Sequence, residues 1–495
     1  MYSQAALQRR TAAFDHVPQG CRLITPDARW SFRIRHSSRI VQGALPNEWK
    51  IVEVHASPTG VHHMPSAASR AALAGLLLAF AVFPSALPAQ RTAPTISADS
   101  AAARVRATAE LPSVRAALDW LDRNDEAQIA EWIRLTEIPA PSGFEQRRAA
   151  YVKAELEKLG LTVTVDSIGN VTAVRRGTGG GPVLVFAAHM DTVHPEDTDV
   201  RVRRSGDTLR APGIFDNTAS VANMLAIARA LHETNLQTRG DIVYVATVQE
   251  EVGLKGMEYW FENTDVKTDL LVALDGGLSS VAYGALGIYW TRYVFTGPGS
   301  HTNASAGQPH PARALSDAIR DIYTIRIPEG QGGAVYNVGM LRGGKIFNAI
   351  PEEVSFTMDL RSVNPILLDS LDSEIERRVA RAADAHGVGW RKEVELRNRA
   401  GGTEEMLADR RHHPLVETTI AAYEYMGMRL DSIPAVASGS TDGNIGVVRG
   451  IPTVAIGRGR GSGSHTLAEG ALASSVLPAT KMTLLLAVTM TGVTQ

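Results

Sequence analysis

The stretch "VLVFAAHMDTVHP", residues 183–195, decides the fold. Its first six residues are wholly apolar, which reads as a short strand buried on both faces, the kind found at the centre of a parallel sheet. The run then stops on His189, Asp191 and His194. Open α/β sheets bind their ligands beyond the carboxyl ends of the strands. An imidazole and a carboxylate delivered together at such an end are therefore candidates for chemistry.

Working outward, "DIVYVATV" (241–248), "DLLVALD" (269–275) and "IPTVAIG" (451–457) repeat the pattern of a core strand. Between and around them lie amphipathic or apolar helical stretches: "SVRAALDWLDRNDEAQIAEWIRLTEI", "FEQRRAAYVKAELEKLG", "TASVANMLAIARALHET", "GLKGMEYWFEN" and "PLVETTIAAYEYMG". "LTVTVDSIGNVTAVR" reads as a hairpin or edge strands. The alternation predicts an α/β fold, a mostly parallel sheet covered by helices on both faces. The texture changes after Gly287. From there to Arg399 the order is strand, helix, strand, strand, helix, strand, and the strands alternate apolar with polar, so one sheet face is wet. That order is the ferredoxin-like α+β unit. It predicts a small domain at 288–399 inserted into a larger one made of 109–287 and 400–495.

Composition narrows the function. The 495-residue chain carries a formal net charge of −2 and shows no concentrated basic stripe, which argues against nucleic acid as a partner. Cys21 is the only cysteine, so neither an intrachain disulfide nor a thiolate metal cluster can form. From Met64 to about Ala89 the chain has the order of a secretory signal: Arg70, an apolar run from Ala71 to Phe83, then a small-residue tail. The apolar run is too short to span a bilayer, which leaves no membrane span in the mature chain. The expectation is a periplasmic or secreted protein if translation starts at Met64, and a cytoplasmic one otherwise. Residues 1–63 read as a non-native or disordered extension and 90–108 as a linker.

Several ionisable residues fall where the strands end. His189 and Asp191 follow one core strand, Glu250 and Glu251 a second, Asp275 a third, and His465 a fourth by way of the flexible-looking "RGRGSGS". Asp216 sits in the turn before a helix. Singly, each has a plain explanation: Asp216 as an N-cap, Asp275 as a turn residue before two glycines, the glutamates as solvated charge. Together, carboxylates converging on one cavity repel one another unless cations neutralise them. Histidine and carboxylate ligands without sulfur suit zinc, manganese or cobalt better than calcium.

The segments "HMDTVHP", "GIFDNTAS", "QEEVGLKG", "ALDGG", "GPGSHT", "MDLRS" and "STDGNIGVVRGIPTVAIGRGRGSGSHT" resemble, in order, the motifs of the M20 metallopeptidase family, nearest to its peptidase T-like and aminoacylase or carboxypeptidase branches. The resemblance runs from about residue 110 to the C-terminus. It implies two divalent metal ions, zinc before cobalt or manganese, with His189 and Asp275 on one, Glu251 and His465 on the other, and Asp216 bridging. It implies that Asp191 orients the His189 ring and that Glu250 is the general base acting on a metal-bridging water. A cis peptide after Asp216 is a further expectation. The small domain resembles the family's lid and dimerisation domain, which implies a homodimer. It also implies a role in stabilising the oxyanion for His301, and in holding a substrate carboxylate for Arg361 and Asn348. His194 and His310 are expected at the rim, with Asp442 and Asn444 at the pocket floor.

"NTAS" after Asp216 and "SHTNA" around His301 depart from the commoner family forms, which puts specificity rather than chemistry in doubt. The expected activity is therefore an exopeptidase acting on short peptides. The alternative is an N-acyl-amino-acid amidohydrolase or carbamoylase of the same fold. A non-catalytic binding protein is the third reading, disfavoured because all five ligands and both glutamates are present.

Overall fold

The computed structural model describes residues 94–327, 333–435 and 440–494. The expected signal segment and everything before it lie outside the described residues.

A seven-stranded sheet forms the centre. In spatial order its strands are Thr162–Val165, Val171–Arg175, Ile242–Thr247, Leu184–His189, Leu270–Leu274, Thr453–Ile456 and Val281–Ala282. The four middle strands are mutually parallel, and the flanking ones pair antiparallel. Every residue of the Ile242–Thr247, Leu184–His189, Leu270–Leu274 and Thr453–Ile456 strands is buried, which is why they read as unbroken apolar runs.

Alternate side chains point to opposite faces, and the two faces have separate cores. Leu184, Phe186 and Ala188 join one core with the helices Pro112–Arg123, Asp125–Thr136, Thr218–Glu233, Pro414–Tyr425 and Val476–Thr491. Val185 and Ala187 join another with Met257 and Trp260 of the helix Lys255–Asn263. The helices Thr218–Glu233 and Val476–Thr491 are buried nearly all round, as their lack of a polar face requires. The stretch Ala473–Thr491 is long and apolar enough to cross a membrane by length and composition, and 78% of it is buried inside the protein.

The second sheet runs Ala334–Gly343, Glu353–Ser362, Gly287–Thr296, Gly389–Asn398, all antiparallel. The helices Pro311–Ile322 and Pro365–Ala385 share a core with it, giving the expected ferredoxin-like unit.

Three features differ from the reading of the sequence. The stretch expected as a linker contains the helix Ala98–Ala109, capped by Ser97 and buried through Ala101, Val105 and Ala109. The single helical stretch after it is broken at Asn124 into Pro112–Arg123 and Asp125–Thr136. A further four-stranded sheet joins Arg203–Ser205 and Thr208–Arg210 to Gly470–Leu472 and Gly461–Ser462. It holds part of the glycine-rich segment that read as flexible.

Candidate metal centre

The four parallel strands all end on one edge of the sheet, and that shared direction gathers the site. His189 is the last residue of its strand, Asp275 directly follows Leu270–Leu274, and Glu250 and Glu251 lie in the turn after Ile242–Thr247. Asp216 precedes the helix Thr218–Glu233, and the peptide between Asp216 and Asn217 is cis. His465 stands between the paired strands Gly461–Ser462 and Gly470–Leu472, in the left-handed region at φ 67°.

These residues meet. One ligand atom from each of His189, Asp216 and Glu251 lies within 4.8 Å of the others. His189 Nε2 is 3.3 Å from Asp216 Oδ1 and 3.9 Å from Asp275 Oδ2. His465 Nε2 is 3.5 Å from Asp216 Oδ2 and 3.1 Å from Glu251 Oε2. The two oxygens of Asp216 thus face the two histidines separately. Glu250 Oε2 lies 3.9 Å from His189 Nε2. Asp191 accepts hydrogen bonds from the backbone N–H groups of Glu250 (3.0 Å) and Glu251 (3.2 Å) and from Ser142 Oγ (2.6 Å). The nearest acceptor to His189 Nδ1 is the Asp191 carbonyl at 3.1 Å, with the carboxylate at 3.5 Å.

The electrostatics match a site built for cations. Burial pushes the Glu250 carboxyl well above its usual range, Glu251 up to about 7, and Asp275 upward, with neighbouring carboxylates adding to each. Burial acts the same way on Asp216, but Arg458 and His189 outweigh it and hold that group low. Burial works against a charged His189, yet the surrounding carboxylates, Glu250 first, hold its pKa well above the ordinary value. Among the described residues, Glu251 Oε1 is buried without a hydrogen-bond partner. An orphaned carboxylate oxygen beside two imidazoles is a donor set suited to divalent cations.

A cavity of about 350 Å³ opens over the cluster, lined by Trp290, Leu396 and Arg361 of the small domain together with Thr441. Arg361 pairs with Asp359 at 3.1 Å. His301 and Asn348 are not brought to this cavity: both are exposed and face each other at 3.4 Å. Asp442 is buried and accepts a hydrogen bond from Thr247 Oγ1 (2.5 Å), while Asn444 donates to the Leu286 carbonyl (2.8 Å). His194 is buried rather than at the rim, 3.9 Å from Glu469.

Two residues of the site were not singled out in the sequence. Glu469 is 1% exposed and accepts backbone N–H bonds from Gly213 (2.9 Å), Phe215 (2.8 Å) and Asp216 (2.7 Å), so it sets the position of the Asp216 turn. Arg458 pairs with Asp216 at 3.2 Å and with Asp275. The available signals were a glutamate four residues past His465 and an arginine directly after a core strand.

Comparison with known proteins places the chain in a family. The family model "Peptidase family M20/M25/M40" matches residues 185–489. An N-carbamoyl-L-amino-acid amidohydrolase of Rhizobium meliloti is 23% identical over 322 residues, 55% of this chain and 71% of that protein. A LysW-lysine hydrolase of Deinococcus radiodurans is 36% identical over 123 residues, 25% of this chain and 33% of that protein. For the LysW-type relatives, the match spans between 33% and 52% of their own length. The crystal structure of aminopeptidase PepT from Bacillus cereus shares the fold at a TM-score of 0.60 and 20% identity, covering 74% of this chain and 99% of that one. With the family's pattern matched across more than half of its length, this chain belongs to peptidase family M20/M25/M40.

Proposed function

We propose that this chain is a dinuclear metal-dependent amide hydrolase that trims short peptides as an exopeptidase. The observation that carries the proposal is the meeting of His189, Asp216, Glu251, Asp275 and His465 at one sheet edge, with Glu250 beside them. His189 and Asp275 would hold one cation, Glu251 and His465 the other, and Asp216 both. Bound there, a pair of divalent cations supplies Lewis acidity toward water and toward an amide carbonyl. Glu250 then takes a proton from the attacking water and returns it to the leaving amine nitrogen. Asp191, through the Glu250 and Glu251 amides and the His189 ring, fixes the orientation of all three. Arg361, on the cavity wall, would receive a substrate carboxylate as a fork of donors.

Zinc is the proposed metal, on the donor set. A homodimer is the proposed assembly. The strand Ala334–Gly343 lies at the edge of its sheet, and Val335, Met340 and Leu341 on it are exposed, as are Ile346 and Phe347 just beyond. Exposed apolar residues along a sheet edge favour pairing with a second chain. His301 and Asn348 would act in the cavity of the second copy. Export through the Met64–Ala89 segment is proposed on its residue pattern alone, and N-terminal sequencing of the processed protein would test it.

The second reading, an N-acyl- or N-carbamoyl-amino-acid amidohydrolase, draws on the long match to the N-carbamoyl-L-amino-acid amidohydrolase. Zinc-loaded protein incubated with free-amine tripeptides, N-acetylated amino acids and N-carbamoyl amino acids separates the two. Release of one terminal residue from the tripeptides is the expected result. Turnover of the acylated or carbamoylated amino acids alone favours the second reading, and hydrolysis of none contradicts both.

A further inference from the structure

Among the described residues, Arg458 is the one arginine or lysine paired with the proposed ligands, and the mechanism above does not use it. It comes just after the strand Thr453–Ile456, and only 3% of it is exposed. Its guanidinium lies over the Phe215 ring at 4.4 Å and donates to Asn217 Oδ1 at 2.9 Å. It pairs with Asp216 Oδ1 at 3.2 Å and with Asp275 Oδ1. The loops carrying the two partners are locked together: a side chain on Gly457 would collide with the backbone of Gly277. Backbone hydrogen bonds hold the two segments side by side, Arg458 N–H donating to the Gly276 carbonyl at 3.3 Å and Leu278 N–H to the Gly459 carbonyl at 3.0 Å.

Its contacts divide the carboxylate oxygens unequally. Asp275 gives Oδ1 to Arg458 and turns Oδ2 toward His189 at 3.9 Å. Asp216 shares Oδ1 between Arg458 and His189, while Oδ2 faces His465 at 3.5 Å. The position formed by His189, Asp216 and Asp275 thus lies against a permanent positive charge. The position formed by Glu251, His465 and the other Asp216 oxygen lies beyond it. Arginine is never neutral in a protein, so this charge cannot be shed when a metal arrives.

We propose that Arg458 is a resident cation that weakens metal binding at the His189–Asp275 position and, in the metal-free protein, stands in for part of the missing positive charge. This rests on the metal-pair reading above. Arg458 is a positioning residue: it touches the ligands, not the substrate. Like charges repel most where water is excluded, so removing the guanidinium strengthens the attraction of that position for a divalent ion.

The test is zinc binding by chelator-stripped protein, followed by calorimetry and chelator competition, in the native chain, R458K and R458Q. Two zinc ions are expected to bind the native chain. R458Q is expected to tighten one of the two binding events by about tenfold or more, because a charge has gone. R458K retains a cationic side chain at this position and is expected to tighten zinc binding less than R458Q does. R458Q is also expected to lose thermal stability when stripped and to regain more on adding zinc than the native chain does. Unchanged or weaker zinc binding by R458Q overturns the proposal, as does tightening by R458K equal to that of R458Q. An R458Q chain that stays unfolded even with zinc overturns it too, since two divalent ions would then fail to replace one guanidinium. A native chain that binds no zinc overturns the metal-pair reading itself, a result distinct from all of these.

Discussion

Nε2 of His465 lies 3.1 Å from Oε2 of Glu251. One stands in a glycine-rich connection near the C-terminal helix, and the other follows a central strand. Glu469 secures the approach, because it holds the turn that carries Asp216 from the same C-terminal segment. The candidate metal centre is therefore closed by hydrogen bonds between loops, while its floor is fixed by parallel strands.

Glu250→Gln removes the proposed proton carrier and leaves the five ligands in place. Turnover of the best peptide substrate is expected to fall by roughly 10²–10⁴-fold. Bound metal, measured by mass spectrometry of the digested protein, is expected to stay unchanged. A parallel loss of metal would mean that Glu250 acts as a ligand instead.

Glu469→Ala leaves three backbone N–H groups without their acceptor, two of them in buried bonds and the third in a part-buried one. Unpaired buried donors cost on the order of 1–3 kcal/mol each before any relaxation. The variant is expected to lose about 3 kcal/mol or more of stability to denaturant. It should also bind metal more weakly, since the Asp216 turn is what Glu469 positions. Native-like stability would show that water replaces the carboxylate without cost.

The N-terminus of the helix Pro414–Tyr425 offers a pH test away from the metal centre. His413 caps it, with Nδ1 accepting the Leu415 N–H at 3.1 Å. Burial, reinforced by Arg410, holds this imidazole down at about 4. Between pH 6.5 and 4 the unfolded chain takes up a proton here and the folded chain does not. The contribution is therefore intact above pH 6.5 and is lost as pH falls toward 4, on the order of 3 kcal/mol. Asparagine can accept the same bond without titrating. The stability difference between native and His413→Asn should shift in the variant's favour across that window. A pH-independent difference would contradict the assignment.

How far the sequence carried this account depended on periodicity. The four parallel strands and the ferredoxin-like unit were legible, because burial on two faces or one leaves a direct mark in residue pattern. His189, Asp275 and the paired glutamates followed from those strands. Arg458 was not legible, since "GRGRGSGS" looks like solvated, flexible chain when its partners Asp216 and Asp275 are far away in sequence. Glu469 was hidden for the same reason. The helix Ala98–Ala109 was missed although Ala101, Val105 and Ala109 recur at a spacing of four, because alanine and threonine surrounded by arginines give a weak apolar contrast. His301 and Asn348 came only from the resemblance, and within one chain they stay outside the cavity.

The exposed edge strand gives a prediction about assembly. Leu341→Lys places charge on a side chain that is 63% exposed. It is expected to convert a dimer to a monomer in light scattering coupled to size exclusion, with zinc content unchanged. If His301 and Asn348 serve a second copy's cavity, activity should fall with dissociation. A native chain that is monomeric at micromolar concentration would contradict the proposed assembly.

The most direct test of the metal centre is anomalous diffraction at the zinc edge from crystals grown with zinc. Two peaks about 3.5–4 Å apart are expected, as in paired hydrolytic sites, one beside His189 and Asp275 and the other beside Glu251 and His465, with Asp216 between them. A single peak, or none within reach of these five side chains, would contradict the account.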